Sequence, residues 1–278
     1  HEAVVAVVWR DAETFRNAGD DPAAGVHRDK SLVQVEQDVE GVDVLGLGRV
    51  EAAGLAAVAA SQDDAGSRGI VEACPERLFN TPISETGFVG MAGGLASVGL
   101  KPVVEIMFPD FALMASDQLF NQIGKLRHMY GGQICFPFLL RTRVASGYGY
   151  GGQHSMDPSS FFAQFSGWRI LAPSTAFDYV GLFNTAMRYA DPVLIVEHGF
   201  LYAEQGQVPV NPQGEFLMDY CVPYGKAKVV REGADVTVLT YLTGVGKCLQ
   251  AAEALAAEGI QAEVIDLRTL DYTGMDYA

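Results

Sequence analysis

Basic residues are scarce in this sequence: 19 Lys and Arg stand against 34 Asp and Glu, a net charge of −15. Such a surface repels phosphate backbones and anionic lipid headgroups, because it has few cations to exchange for their counter-ions. Nucleic-acid and membrane-surface binding are therefore excluded as working readings. Cysteine is scarce too, with Cys74, Cys135, Cys221 and Cys248 far apart, no CxxC pair and no His at ligand spacing. That pattern excludes a disulfide framework and a zinc site, and it fits a reducing cytoplasm. Long hydrophobic runs are also missing. The longest weakly polar stretch, 87–100, lies between Glu85 and Lys101 and is too short to span a bilayer. The opening HEAVVAVVWRD has neither a basic flank nor a small-residue cleavage site. It starts on His1 rather than Met, the pattern expected of a trimmed chain.

What is present is apolar mass. The 278 residues are 49% hydrophobic, enough to bury a substantial core in about two domains. Residues 1–75, rich in Ala, Val, Asp and Gly, suggest strands at 4–9 and 32–35 and a helix across 50–60. From Leu78 onward, β-branched runs alternate with helix-period segments in the manner of an α/β fold with a mostly parallel sheet. VVEIMF (103–108), ICFPFLL (134–140), RILAP (169–173) and VLIVEH (193–198) are expected as buried strands. Residues 111–130 and 174–190 are expected as helices, the second capped by Ser174 or Thr175. Residues 202–216 collect Gly, Pro, Gln and Asn without a period, so 202–222 is expected as a linker. The rest, 223–278, forms one strand–helix–strand unit with Gly259 as the helix C-cap. A lone unit of this kind leaves one sheet face bare, so it is expected to be the start of a truncated domain.

Glu85 falls where the extended NTPIS gives way to the helix pattern TGFVGMAGGLASVGL. An acid there either satisfies helix N-terminal amides or does chemistry. The helix carries Gly87, Gly90 and Gly94, each costing about 1 kcal/mol of helix propensity, a pattern expected where another backbone approaches closely. The loop GYGYGG lacks the GxGxxG register and is followed by Gln153, His154 and Pro158 instead of a helix, which argues against dinucleotide binding. A glycine-rich loop at a strand's C-terminal edge is nonetheless where an open parallel sheet places its ligand site, and this one delivers His154 there. Read alone, Phe111 is a core aromatic at a helix start, and His128, His198, Asp117 and Gln118 carry no constellation.

The segments TPISETGFVGMAGGLASVGLKPVVEIMFPDF, DQLFNQIGKLRHMYGGQ, GGQHSMDPSSFFA and DPVLIVEHGFLY resemble the β subunit of the thiamine-diphosphate-dependent 2-oxoacid dehydrogenase first components, those of pyruvate, branched-chain 2-oxoacid and acetoin dehydrogenases. DVTVLTYLTGVGKCLQAAEALAAEGIQAEVIDLRTL resembles the start of the same family's C-terminal domain. The resemblance implies a transketolase-type pyrimidine-binding domain (76–201, with 1–75 as its poorly matching N-terminal part), the 202–222 linker, and part of a transketolase C-terminal α/β domain at 223–278. It implies that Glu85, in the family's ISE segment, hydrogen-bonds the aminopyrimidine of thiamine diphosphate and so helps activate the cofactor. It further implies that Phe111 packs on the pyrimidine, that Met107 and Ile83 line the same pocket, and that His154 manages protons at the substrate. A potassium ion on carbonyls of Ala186, Tyr189 and Asp191 is implied in the same way.

The departures have consequences. The family's Gly-Glu-Asp-Val motif has only an imperfect counterpart around Glu36–Glu40. The Gly-Asp-Gly…Asn pattern that holds diphosphate and Mg2+ is absent, its nearest relative being GDD at 19–21. The resemblance therefore implies a separate α chain supplying the diphosphate and Mg2+ site in an α2β2 assembly. It also implies a small 2-oxoacid or acetoin as substrate, and a lipoyl-bearing acyltransferase as acceptor of the acyl group. Two rival expectations are a split transketolase-like two-carbon transferase and a non-catalytic structural subunit.

Overall fold

The computed structural model describes residues 5–8, 56–59, 77–79, 81–217 and 219–274. The first two segments are strands β1 (Val5–Val8) and β2 (Ala56–Ala59), paired antiparallel with Val5 opposite Ala59. β1 meets the expectation for 4–9. The helix expected across 50–60 is, in its described part, the strand β2: pairing with β1 overrides the helix preference of alanine. The strand expected at 32–35, the segment Glu36–Glu40, the GDD at 19–21 and Cys74 lie outside the described residues.

Helix α1 (Glu85–Ser97) begins directly after TPIS (81–84), as its pattern predicts. It ends where Gly99 turns to φ +87°, with the amides of Gly99 and Leu100 bonding back to the carbonyls of Ala96 and Leu95. Four parallel strands then form the main sheet: β3 (Val103–Ile106), β4 (Leu139–Val144), β5 (Arg169–Leu171) and β6 (Val193–His198). Their order is β3-β4-β6-β5, so β4 and β6 are central. Strand β4 starts five residues later than its apolar run. Pro137 cannot donate to a ladder, and Phe136 instead donates its amide to the Ala190 carbonyl at 2.7 Å. The strand continues through the charged Arg141-Thr142-Arg143.

The helical stretch after β3 is not one α-helix. A 3₁₀ segment (Pro109–Ala115) leads into a π-helical turn (Asp117–Ile123) and the short α2 (Leu126–Met129). The indole of Trp168 donates to the Leu119 carbonyl at 3.1 Å, and the Gly124 amide reaches the same carbonyl at 3.0 Å across five residues. A side chain drawn into the ladder widens the turn. After the short α3 (Ser159–Ala163), α4 (Ala176–Arg188) begins at Thr175, whose hydroxyl accepts the Asp178 amide at 3.1 Å.

The 202–222 segment is strapped to α4. Val222 donates its amide to the Gly181 carbonyl at 3.0 Å, and Thr185 donates its hydroxyl to the Val222 carbonyl at 2.6 Å. A Cβ on Gly181 would lie 2.4 Å from Val222 Cγ2 and 2.9 Å from its backbone nitrogen. Beyond it, β7 (Lys228–Arg231), β8 (Val236–Thr240), α5 (Thr243–Ala257) and β9 (Ala262–Asp266) form a second sheet of order β7-β9-β8. Gly259, at φ +87°, caps α5 as predicted. Val229 and Leu239, both in register with Ile265 and so on the face turned away from α5, stand exposed. The unit is moored to the main sheet, because residues just past β9 add to the edge of β5. Ala172 donates to the Arg268 carbonyl at 2.8 Å, Leu270 to the Ile170 carbonyl at 2.9 Å, and Ile170 to Asp271 Oδ1 at 2.8 Å.

A charged cluster crosses the middle of the main sheet. Arg141 on β4 donates to Glu105 on β3 at 3.1 Å and to both oxygens of Glu197 on β6 at 2.8 and 3.0 Å. All three are buried. Burial opposes the Arg141 charge, but Glu197, Tyr179 and Glu105 together hold the guanidinium well above its ordinary pKa. The hydroxyls of Tyr179 (2.7 Å) and Tyr202 complete the shell of Glu197. Burial, with Glu197 among the further causes, pushes both tyrosines well up, so they stay protonated donors.

Two outcomes are expected. Arg141→Met strands two buried carboxylates and should lower unfolding free energy by about 3–5 kcal/mol in urea titration. Gly181→Ala drives a methyl into Val222 and should cost about 1–3 kcal/mol, read as a lower Tm.

Candidate active site

The segments that leave the C-terminal ends of β3, β4 and β6 converge on one edge of the sheet, the edge at which open parallel sheets bind ligands. From β3 come Met107 and Phe108, then the 3₁₀ segment with Asp110 and Phe111. From β4 comes the glycine-rich loop to His154. From β6 comes a second 3₁₀ segment (Gly199–Ala203) with Phe200 and Tyr202. Gly147, Gly149 and Gly151 have φ of +90°, +82° and +76°, which makes room for Tyr148 and Tyr150 between them.

His154 is held edge-on against two rings, Phe108 at 4.8 Å and Phe111 at 5.3 Å between centroids. Its segment is pinned on both sides. The Met156 amide donates to Asp110 at 3.3 Å, and Tyr241 of the C-terminal unit donates its hydroxyl to Asp157 at 3.0 Å. The sequence-derived pair Phe111 and His154 is thus brought into contact, and half-buried Met107 lies beside Phe108 at the same edge. Phe111 keeps 37% of its surface exposed.

Glu85 is the first residue of α1, half-buried, and its carboxylate has no hydrogen bond or ion pair with any described residue. Ser84, at the N-cap, makes no side-chain cap bond. The next residue, Thr86, donates its hydroxyl to the Met114 carbonyl at 2.6 Å, which ties this helix end to the segment carrying Phe111. Ile83 stands 63% exposed, outside the described packing.

Several features of this edge were not anticipated from the sequence. Tyr148 stacks on Phe200 at 4.4 Å and on Tyr150 at 5.7 Å, and His198 stacks on Phe200 at 5.5 Å, giving a ladder of four near-parallel rings. A Cβ on Gly199 would lie 2.7 Å from the Tyr148 ring, so a larger residue there would shift that ring out of the ladder. His198 accepts the Phe200 amide at Nδ1 (3.3 Å), so its Nε2 carries the proton toward Ser146 Oγ at 3.3 Å. Burial, reinforced by Lys247, pulls His198 below its ordinary pKa, although Asp157 opposes the shift. Arg143, near the end of β4, lays its guanidinium over Phe108 at 5.0 Å and Tyr202 at 5.8 Å. The GYGYGG composition signals the tyrosines; nothing in the spacing of Phe108, Phe200 and Tyr202 signals their meeting.

Ala186, Tyr189 and Asp191 lie at the opposite edge, between the end of α4 and the start of β6. The Ala186 carbonyl accepts the Tyr189 amide at 3.1 Å, Lys101 donates its ammonium to the Met187 carbonyl at 2.8 Å, and the Asp191 carboxylate is gripped by Arg127 and Arg169. No cluster of His, Cys, Asp or Glu among the described residues has the form of a metal site, and no described helix is long and apolar enough to cross a membrane. Asp117 accepts a hydrogen bond from Asn121, and His128 is exposed.

The glycines of α1 divide into two kinds. Gly93 faces inward, where a Cβ would touch Ile123 at 3.4 Å. Gly94 would meet nothing within 4 Å, Gly90 only the Gln118 side chain, and Gly87 only Ser84. Packing against the described residues does not demand those three glycines, and all three are exposed.

Comparison with known proteins agrees with this geometry. The family "Transketolase, pyrimidine binding domain" matches residues 13–204, and "Transketolase, C-terminal domain" matches residues 225–276. The chain is 38% identical over 190 residues to the acetoin:2,6-dichlorophenolindophenol oxidoreductase subunit beta of Cupriavidus necator, covering 68% of this chain and 54% of that one. It is 43% identical over 193 residues to the pyruvate dehydrogenase E1 component subunit beta-1, mitochondrial, of Arabidopsis thaliana, covering 68% of this chain and 52% of that one. The chain thus spans about half the length of the curated relatives it matches. Among solved structures, one described as a split gene transketolase, inactive beta4 tetramer, superposes with a TM-score of 0.58 at 24% identity, covering 75% of this chain and 63% of that one, which supports the fold. The parallel sheet, the loops converging on its C-terminal edge and the two family matches in chain order agree, and the chain belongs to the transketolase pyrimidine-binding-domain family.

Proposed function

We propose that this chain is the pyrimidine-binding half of the decarboxylating first component of a 2-oxoacid dehydrogenase, acting with thiamine diphosphate on a small 2-oxoacid or on acetoin. The observation that carries the proposal is Glu85: a half-buried carboxylate at a helix start, without a partner among the described residues, whose neighbour Thr86 ties that helix end to the segment in which Phe111 meets His154. An acceptor beside a part-exposed aromatic face fits an aminopyrimidine, which offers a ring nitrogen for a shared proton and a flat ring to cover. The 38% and 43% identities to β subunits of acetoin and pyruvate enzymes support the same reading.

Thiamine diphosphate, when bound, supplies the electron sink for breaking the bond beside the oxo carbon. The chain's own residues do the rest. Glu85 holds a proton at the pyrimidine, Phe111 covers the ring, and Met107 and Ile83 give the pocket apolar walls. His154 moves protons at the substrate, its imidazole oriented by Phe108 and Phe111. Ile83 and the three outward glycines of α1 await a second surface. A partner α chain carrying the diphosphate and Mg2+ site in an α2β2 assembly accounts for both, with a lipoyl-bearing acyltransferase as acceptor. The carbonyls of Ala186 and Tyr189, with Asp191, form the structural potassium site of this reading.

Calorimetry with thiamine diphosphate and Mg2+ tests the proposal, on the chain alone and with the proteins that co-purify with it. Binding is expected only with the partner present, and Glu85→Ala should lower turnover roughly 100-fold or more. Absence of binding in both settings would sink the enzyme reading in favour of a structural subunit. Two-carbon transfer between sugar phosphates without a lipoyl domain would identify the transketolase-like alternative.

A further inference from the structure

Arg141 and Arg143 lie two residues apart on β4 and so face the same side of the sheet, but their partners differ completely. Arg143 is in register with Glu197 on the neighbouring strand, which makes that carboxylate its natural counter-ion. Glu197 has no capacity left. Its Oε1 accepts Arg141 Nε at 2.8 Å and the Tyr179 hydroxyl at 2.7 Å; its Oε2 accepts Arg141 Nη2 at 3.0 Å and the Tyr202 hydroxyl. A carboxylate offers about four lone-pair sites, and here each is taken. Arg143 is left half-buried, its guanidinium resting on the faces of Phe108 and Tyr202, with no hydrogen bond to any described residue.

The cation sits at the ligand edge, and the ring beneath it, Phe108, is the ring that also packs against His154 at 4.8 Å. A guanidinium has a planar fork of donors and no acceptor, and that fork matches a carboxylate. Stacking on aromatic faces fixes its plane while leaving its N–H groups free at the rim.

We propose that Arg143 binds a carboxylate of the substrate, and that the carboxylate is one the reaction keeps. This rests on the decarboxylation reading above. When CO2 leaves, the bond between C1 and C2 breaks and negative charge moves from the C1 carboxylate toward C2. A guanidinium paired with that departing carboxylate would stabilise the substrate more than the transition state and slow the step. A second carboxylate, at the far end of the acyl chain, carries its charge unchanged through the reaction. The substrate class is therefore a 2-oxo dicarboxylic acid, and Arg143 is a specificity-determining residue.

The test uses the chain with its co-purified partner, thiamine diphosphate and Mg2+. One arm compares kcat/KM for 2-oxoglutarate with that for 2-oxopentanoate, which has the same carbon count and lacks the second carboxylate. The wild type should prefer the dicarboxylate at least tenfold. Arg143→Gln should lower the ratio of the two by roughly 100-fold, as expected when a buried polar partner is lost. Arg143→Lys, which keeps the charge without the fork, should retain part of the preference; a merely structural role would give the same ratio in both variants and overturn the proposal. A second arm needs no turnover: calorimetric binding of glutarate, against pentanoate as control. Glutarate binding that Arg143→Gln weakens at least tenfold supports the anion site even where no 2-oxoacid reacts, an outcome that would fault the decarboxylation reading alone. Glutarate binding unchanged by the substitution, or a wild-type preference for 2-oxopentanoate, overturns the inference.

Discussion

The buried carboxylate of Glu197 organises this molecule. A charge taken out of water must be met on every lone pair or it destabilises the fold, and Glu197 recruits Arg141 from the next strand and hydroxyls from α4 and from the segment after β6. Those contacts fix the register of β3, β4 and β6, because Arg141 reaches Glu105 and Glu197 only when the three strands are aligned as observed. They also set the height of the loops above. Tyr202, drawn down to Glu197, becomes one wall against Arg143, and Phe108 becomes the other. Arg143, in register with Glu197, adds its positive charge beside the cluster without bonding to that carboxylate.

Much of this was legible from the order of residues. The four core strands, α1 and α4 follow from periodicity, with Ser174 or Thr175 marking the start of α4, and the C-cap at Gly259 follows from glycine's tolerance of positive φ. The limits of legibility are equally physical. Strand β4 was expected too early because its second half is charged, and a hydrophobic pattern has no means of showing that Arg141 will be buried by partners on two other strands. The sign was present all the same: Glu105, Arg141 and Glu197 each interrupt an apolar strand, and opposite charges on parallel neighbours are a pairing signal. The helix after β3 failed for another reason. Trp168, remote in sequence, pulls one carbonyl out of line and converts α-periodic residues into π and 3₁₀ turns.

The candidate site was legible in part. Phe111 and His154 meet, and Glu85 stands at the helix start without a partner among the described residues. The aromatic ladder was not, because stacking of Tyr148, Tyr150, Phe200 and His198 depends on two loops that leave different strands. Such convergence is a property of strand order, and strand order is not written in local spacing. The outward glycines show the complementary case. Their pattern is plain in the sequence, and the structure adds that no atom of the described residues requires them.

The mooring of residues 268–271 on β5 bears on how the chain acquires its shape. β5 has only three residues and borders the main sheet, and its outer amides and carbonyls are met by Arg268, Leu270 and Asp271, with a span of 101 residues between Ile170 and Asp271. Until those late residues have been made and have docked, that border remains an open template of unpaired backbone. Contacts of such long range are slow to form, and an exposed strand edge is where nascent chains join the wrong neighbour. Residues 268–271 thereby shield the edge of the first domain from other chains once they dock.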